Sequence, residues 1–123
     1  MNKKYITELG LNGNGIFAEG AVAIGQSLKD KKYLEVFNLK KNEIGLQGIK
    51  TLEDCLALSK TIKELNLSGN NIGDEGLEIV LKALANKKKQ SLQRFSVSSN
   101  KISSAGCKAL CDFIINCYSL EEL

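Results

Sequence analysis

The sequence predicts an α/β solenoid, a right-handed horseshoe arc of about four stacked units with parallel strands on its concave face and helices on its convex face. Three observations carry this. One frame, apolar-x-x-apolar-x-apolar-x-x-Asn-x-Ile-x-x-x-Gly, returns at a nearly fixed interval; a strand-like alternation opens each copy; and a helix-spaced apolar run closes it.

The copies read "ITELGLNGNGIFAEG" from Ile6, "LEVFNLKKNEIGLQG" from Leu34, "IKELNLSGNNIGDEG" from Ile62 and "LQRFSVSSNKISSAG" from Leu92. Their starts lie 28, 28 and 30 residues apart, and a further step of 28 reaches Leu120. The expected repeats therefore span about 6–33, 34–61, 62–91 and 92–119, with a fifth beginning at 120–123, and residues 1–123 are read as one domain. In the first half of each copy, as at Leu34, Phe37 and Leu39, the spacing starts at three and settles into alternation, as in a short strand entered from a turn. In the second half, Ile49, Leu52 and Leu56, like Leu77, Val80, Leu81 and Leu84, recur at three and four residues and form one apolar helix face. Asp74 or Ser103 suits a helix start, and the lysines that follow each run suit the negative end of a helix.

A single strand–turn–helix unit cannot bury its own apolar face, so neighbours must stack around a shared core. Stacked strands sit about 4.8 Å apart, whereas packed helices need roughly 8 to 10 Å. Two such layers stay in register only by curving, with the strands inside. The asparagine at each turn, Asn14, Asn42, Asn70 and Asn100, is expected to turn inward and satisfy backbone groups where the strand ends, forming a stacked ladder. Six residues later come Gly20, Gly48, Gly76 and Gly106. A glycine inside a helix costs roughly 1 kcal/mol against alanine, so its repetition implies close approach to the neighbouring unit.

Composition removes several functional classes. No apolar run approaches the roughly 20 residues of a membrane span, and Met1-Asn2-Lys3-Lys4 is followed by no signal-peptide hydrophobic region. The reading is a soluble, intracellular, cytoplasmic protein. A net charge of +3 announces no nucleic-acid binder, and the absence of histidine rules out triads and zinc sites that need it. Three of the four cysteines, Cys107, Cys111 and Cys117, crowd into one helix and its exit, which with Cys55 fits a reducing compartment better than a disulfide framework.

With its fixed spacing, the frame resembles the leucine-rich repeat of the ribonuclease-inhibitor type, the long α/β class also found in NOD-like receptors and Ran GTPase-activating proteins. The resemblance covers about residues 5 to 123. It implies a protein-binding scaffold, intracellular in most relatives, that grips its partner with the concave strand face and adjacent loops. It carries over no GTPase-activating function: the matched residues are scaffold positions, and Arg94, the only arginine, fits no activating motif. Family members commonly have many repeats and shielding terminal units, whereas neither end here has a recognisable cap.

Alternation places the non-core strand residues on the concave face: Thr7, Glu8, Gly10 and Asn12, then Glu35, Val36, Asn38 and Lys40, then Lys63, Glu64, Asn66 and Ser68, then Gln93, Arg94, Ser96 and Ser98. The candidate protein-binding residues are Glu35, Asn38, Lys40, Lys63, Asn66, Ser68, Arg94 and Ser96. Glu35, Lys40, Lys63 and Arg94 would contribute most to selectivity for an acidic or mixed-charge protein. The bland alternative is a solvated inner surface. Lysines 31, 32, 60, 87, 88 and 89 would line one edge of the arc, but complementing helix C-termini explains them more simply than nucleic-acid binding, which the core placement of Phe37 and Phe95 also disfavours.

Cys107 holds the apolar packing position of Ala21, Ile49 and Leu77, so the cysteines are read as buried structural thiols rather than a three-thiolate metal site. Asn66-Leu67-Ser68 matches a glycosylation acceptor by accident, and Glu121 with Glu122 is no catalytic dyad. The reading is thus a scaffold with no catalysis, no metal and no cofactor. The alternative is a structural subunit, or part of a longer solenoid, that meets neighbours or copies of itself through uncapped ends at Tyr5, Ile6 and Leu9 and at Leu120 and Leu123.

Overall fold

The computed structural model describes residues 7–28, 33–59, 61–85, 91–117 and 119–123. Four strands alternate with four helices: β1 (Glu8–Gly10), α1 (Phe17–Leu28), β2 (Val36–Asn38), α2 (Gly45–Leu58), β3 (Glu64–Asn66), α3 (Gly73–Ala85), β4 (Arg94–Ser96) and α4 (Ser104–Asn116). The strands form one parallel sheet in chain order, and each helix packs on the next. Glu8 pairs with Val36, Val36 with Glu64 and Glu64 with Arg94, so the sheet keeps the sequence frame in register. The lysines at 31, 32, 60 and 87–89 lie outside the described residues.

The core follows from that register. Phe37, Leu65 and Phe95 sit side by side at the middle of the strands, and with Leu34, Leu39, Ile62 and Leu67 they are sealed from solvent. Behind them lie Ile49, Leu52 and Leu56 of α2 and Leu77, Val80 and Leu84 of α3. One strand of three residues supplies few contacts of its own, so stability comes from stacking.

At the strand exits, three asparagine side chains are fully enclosed. Asn70 Nδ2 donates to the carbonyls of Leu39 and Leu67, both at 2.9 Å, while its Oδ1 accepts from the backbone N–H of Asn42 at 3.0 Å and of Ile44 at 3.3 Å. Asn42 and Asn100 repeat the pattern one unit either side. Each amide thus ties its own turn to the preceding repeat. Asn14 is the exception, solvent-exposed and bonded within its own turn to Leu11 O. The residues flanking these asparagines adopt left-handed backbone, including Lys41 (φ 57°), Glu43 (φ 52°) and Lys101 (φ 59°). That conformation costs a non-glycine residue roughly 1–2 kcal/mol; the inward bonds of the asparagine between them hold it in place.

The glycine after the second turn, Gly48, makes room in two directions. A Cβ on Gly48 would lie 2.3 Å from Ile44 Cγ2 and 3.2 Å from Ala18 Cα. Approach to the neighbouring unit, expected from sequence, is the second contact. The first is with the isoleucine four residues back in the same turn, a pattern shared by Gly20 with Ile16 and Gly76 with Ile72. Tucking that isoleucine beneath the helix start is what excludes a side chain.

Asp74 lies in the first turn of α3 but does not cap that helix. Its carboxylate reaches the next repeat, where Oδ1 accepts from the Ser103 N–H at 2.8 Å and Oδ2 from the Ser103 hydroxyl. Ser103 precedes α4 in extended backbone (φ −97°), whereas Gly45 and Gly73, at the start of α2 and α3, are left-handed. The Ser103 hydroxyl first, then its N–H and that of Gly106, holds the Asp74 carboxyl below the ordinary carboxylate range. A carboxylate whose folded pKa is depressed contributes stability above its unfolded pKa and loses it as pH falls through the folded value. Acidification through that window is therefore expected to lower amide-exchange protection at Ser103 and Gly106 more than in α2, and Asp74→Asn should flatten the difference. Protection that is equal in both helices across the window would refute the link.

Candidate functional site: the inner strand face

The strands turn one row of side chains to the core and leave the others on the inner face. Val36, Asn38, Glu64, Asn66, Arg94, Ser96, Glu122 and Leu123 border a shallow groove of about 210 Å³ there. Within it, Asn38 and Asn66 face each other across β2 and β3. Asn38 Oδ1 accepts from the N–H of Lys40, and Asn66 Oδ1 from that of Ser68, each at 3.0 Å. Those bonds fix the amide oxygens, and neither NH₂ donates to any described residue. Ser96, next in the row, likewise has a hydroxyl without a described partner.

The charges expected to give selectivity are largely occupied with one another. Lys63 Nζ lies 3.7 Å from Glu35 Oε1, and Arg94 sits between two carboxylates, 2.5 Å from Glu64 Oε1 and 3.3 Å from Glu122 Oε2. Opposite charges on adjacent parallel strands meet because the register places them there. Half-exposed pairs of this kind are worth about 0.2–1 kcal/mol, so they organise the surface more than they stabilise it. Among the named cations, Lys40 stays exposed with no carboxylate against it among the described residues.

Ser68, expected on the open face, is only 5% exposed. The chain has already begun its turn at this point: the Ser68 carbonyl accepts from Lys41 N–H, and Ser98 of the next repeat covers the hydroxyl, Oγ to Oγ at 3.1 Å. Ser68 is thus part of the turn stack. The cysteine reading is corrected in half. Cys55 and Cys117 are buried, but Cys107 and Cys111 are exposed. The frame position of Cys107 is buried in other repeats by a following helix, and none follows α4 among the described residues. Sequence spacing also gave Glu122 no role, because its bond to Arg94 is visible only once strand register is known.

A curved sheet with an inner row of fixed polar groups, backed by helices and with no nucleophile–base pair among the described residues, has the form of a repeat-protein binding surface. A model of the family described as leucine-rich repeat matches residues 2–25, 31–52, 58–78 and 88–111, and the chain belongs to that family. No curated protein matches the sequence. Among solved structures, the chain is similar to one titled Leiomodin-1 Actin-Binding Site 2 (ABS2), with a TM-score of 0.80 and 21% identity over 95% of this chain and 68% of that one. At that identity the likeness shows the shared fold. No helix among the described residues is long and apolar enough to cross a membrane.

Proposed function

We propose that the chain is a non-enzymatic scaffold of the ribonuclease-inhibitor type that binds a protein partner across its concave strand face and neighbouring loops, inside the cell. The observation that carries this reading is the pair Asn38 and Asn66 in the groove lining, whose side-chain oxygens are held by nearby backbone while neither NH₂ is engaged by a described residue. Fixed donors whose orientation is already set lose little freedom on binding, and they suit a partner segment that offers carbonyl or carboxylate acceptors. Lys40 at the strand exit favours the same acceptors. The compensated pairs at Glu35, Lys63, Glu64 and Arg94 penalise a partner that brings unmatched charge, which serves selectivity more than affinity. Four cysteines with no disulfide among the described residues agree with a reducing compartment.

A photo-crosslinking residue at Val36, which lines the groove without a side-chain bond, should trap a discrete partner from native extract, and one at the exposed Lys50 of α2 should not. Replacing both Asn38 and Asn66 with alanine should weaken that capture about tenfold, two hydrogen bonds being worth roughly 1.4 kcal/mol together. Capture from Lys50 alone, or capture indifferent to the two asparagines, would reject the concave face as the binding site.

A further inference from the structure

One interface is used three times within the chain. At its strand side, N–H groups leaving one repeat donate to oxygens of the next: Leu39 to Asn66 O at 2.9 Å, Lys41 to Ser68 O at 2.8 Å, and both Asn42 and Ile44 to Asn70 Oδ1. In the fourth repeat the equivalent N–H groups belong to Val97, Ser99, Asn100 and Ile102, and they donate to nothing among the described residues. At its helix side, Ala21, Ile49 and Leu77 are sealed by the following helix, as are Leu28, Leu56 and Leu84. Their counterparts are Cys107, which is exposed, and Ile114, which is 39% exposed. A groove of about 530 Å³ runs between these two sides.

The opposite end carries the other half of the same interface. β1 is the far edge of the sheet, and Gly10, Asn12 and Asn14 hold the frame positions of Asn38, Lys40 and Asn42, whose oxygens accept from the preceding repeat. Asn14 is the exposed member of the ladder. Donors at one end and matching acceptors at the other, in one register, define a head-to-tail contact. We infer that a second copy of this chain stacks its first repeat on the fourth repeat of the first.

Charge agrees with that occupant. Arg94 is held by Glu122, which pairs with it through one isolated parallel bridge, and Glu8 occupies the frame position of Glu122. On docking, Thr7 and Glu8 of the second copy replace Glu121 and Glu122, remake their bonds to Gln93 and Phe95, and restore the ion pair with Arg94. That exchange is close to neutral. The gain comes from the four open donors and from apolar surface between helices. Because the two faces differ, the contact is heterologous and leaves one head and one tail open on every dimer, so it extends beyond two copies. The proposal is independent of the concave-face reading.

Sedimentation velocity of the full chain over a concentration series should show dimers and larger species growing with concentration. Ile114→Glu blocks the tail and Ala23→Glu the head, both at exposed helix positions, so each variant alone should stay monomeric with an unchanged circular dichroism spectrum. An equal mixture of the two should form a dimer and nothing larger, since one intact head and one intact tail remain. Inside the chain, a Cβ on Gly25 would lie 2.9 Å from Thr51 O, and the frame equivalents are Cys111 and Ala23 of the second copy. Ala23→Cys should accordingly form an intermolecular disulfide with Cys111 under mild oxidation. A chain that stays monomeric to about 1 mM, a mixture that stays monomeric, or a disulfide to a different cysteine would each overturn the proposal.

Discussion

Replacing Asn70 with alanine is expected to destabilise the protein by about 3–5 kcal/mol, enough to threaten folding of a chain this size. The side chain is wholly enclosed and serves two repeats. Its NH₂ donates to Leu39 O and Leu67 O and more weakly to Ser68 O, and its carbonyl accepts from Asn42 and Ile44. Alanine supplies none of these, and the surrounding packing leaves buried backbone groups with no route to water, each costing about 1–3 kcal/mol. Asn14→Ala is the matched control. Asn14 is exposed, so water replaces what its side chain offers Leu11, and the loss should stay under about 1 kcal/mol. Urea unfolding of both variants reads the difference. Similar midpoints would mean that the ladder is ornament on a core held by its apolar residues.

The contrast between those two asparagines also shows how far the sequence could be read. Asn14 and Asn70 occupy one frame position, and periodicity makes them equivalent. What separates them is whether the described residues include a preceding repeat for the amide to reach, a tertiary fact that one copy of the motif does not contain. The strand order, the pairing register and the helix faces were legible because each is fixed within the repeat and then copied. Contacts made by a single repeat were not. Asp74 carries no frame label marking it as the cap of the following helix, since Ser103 stands where the earlier repeats have a left-handed residue. The pairing of Arg94 with Glu64 and Glu122 and the burial of Ser68 likewise arise from lateral neighbours 28 and 30 residues away. The candidate site was thus legible as a row of strand positions, but its free and occupied charges could not be told apart before the strands were set side by side.

Phe95→Ala is expected to cost about 3–5 kcal/mol and to act locally. The ring is fully buried at the centre of β4 and meets Phe113 edge to face, with centroids 6.3 Å apart and planes at 62°. Phe113 and Gly106 are the only residues of α4 that are buried, so this contact anchors the last helix to the sheet. Alanine would leave a void the size of a benzene ring beneath a helix with no further repeat behind it among the described residues. Loss of the edge-to-face contact accounts for about 0.5–1.5 kcal/mol of that total. In a solenoid each unit touches only its neighbours, so a deficit in the fourth repeat need not spread. Hydrogen exchange should show protection lost across β4 and α4 while β2, α2 and β3 keep theirs. Phe37→Ala, between two intact neighbours, should instead lower protection on both sides of β2. A uniform loss from Phe95→Ala would mean that the repeats fold as one indivisible unit, and the terminal face would then share the stability of the core rather than fray from it.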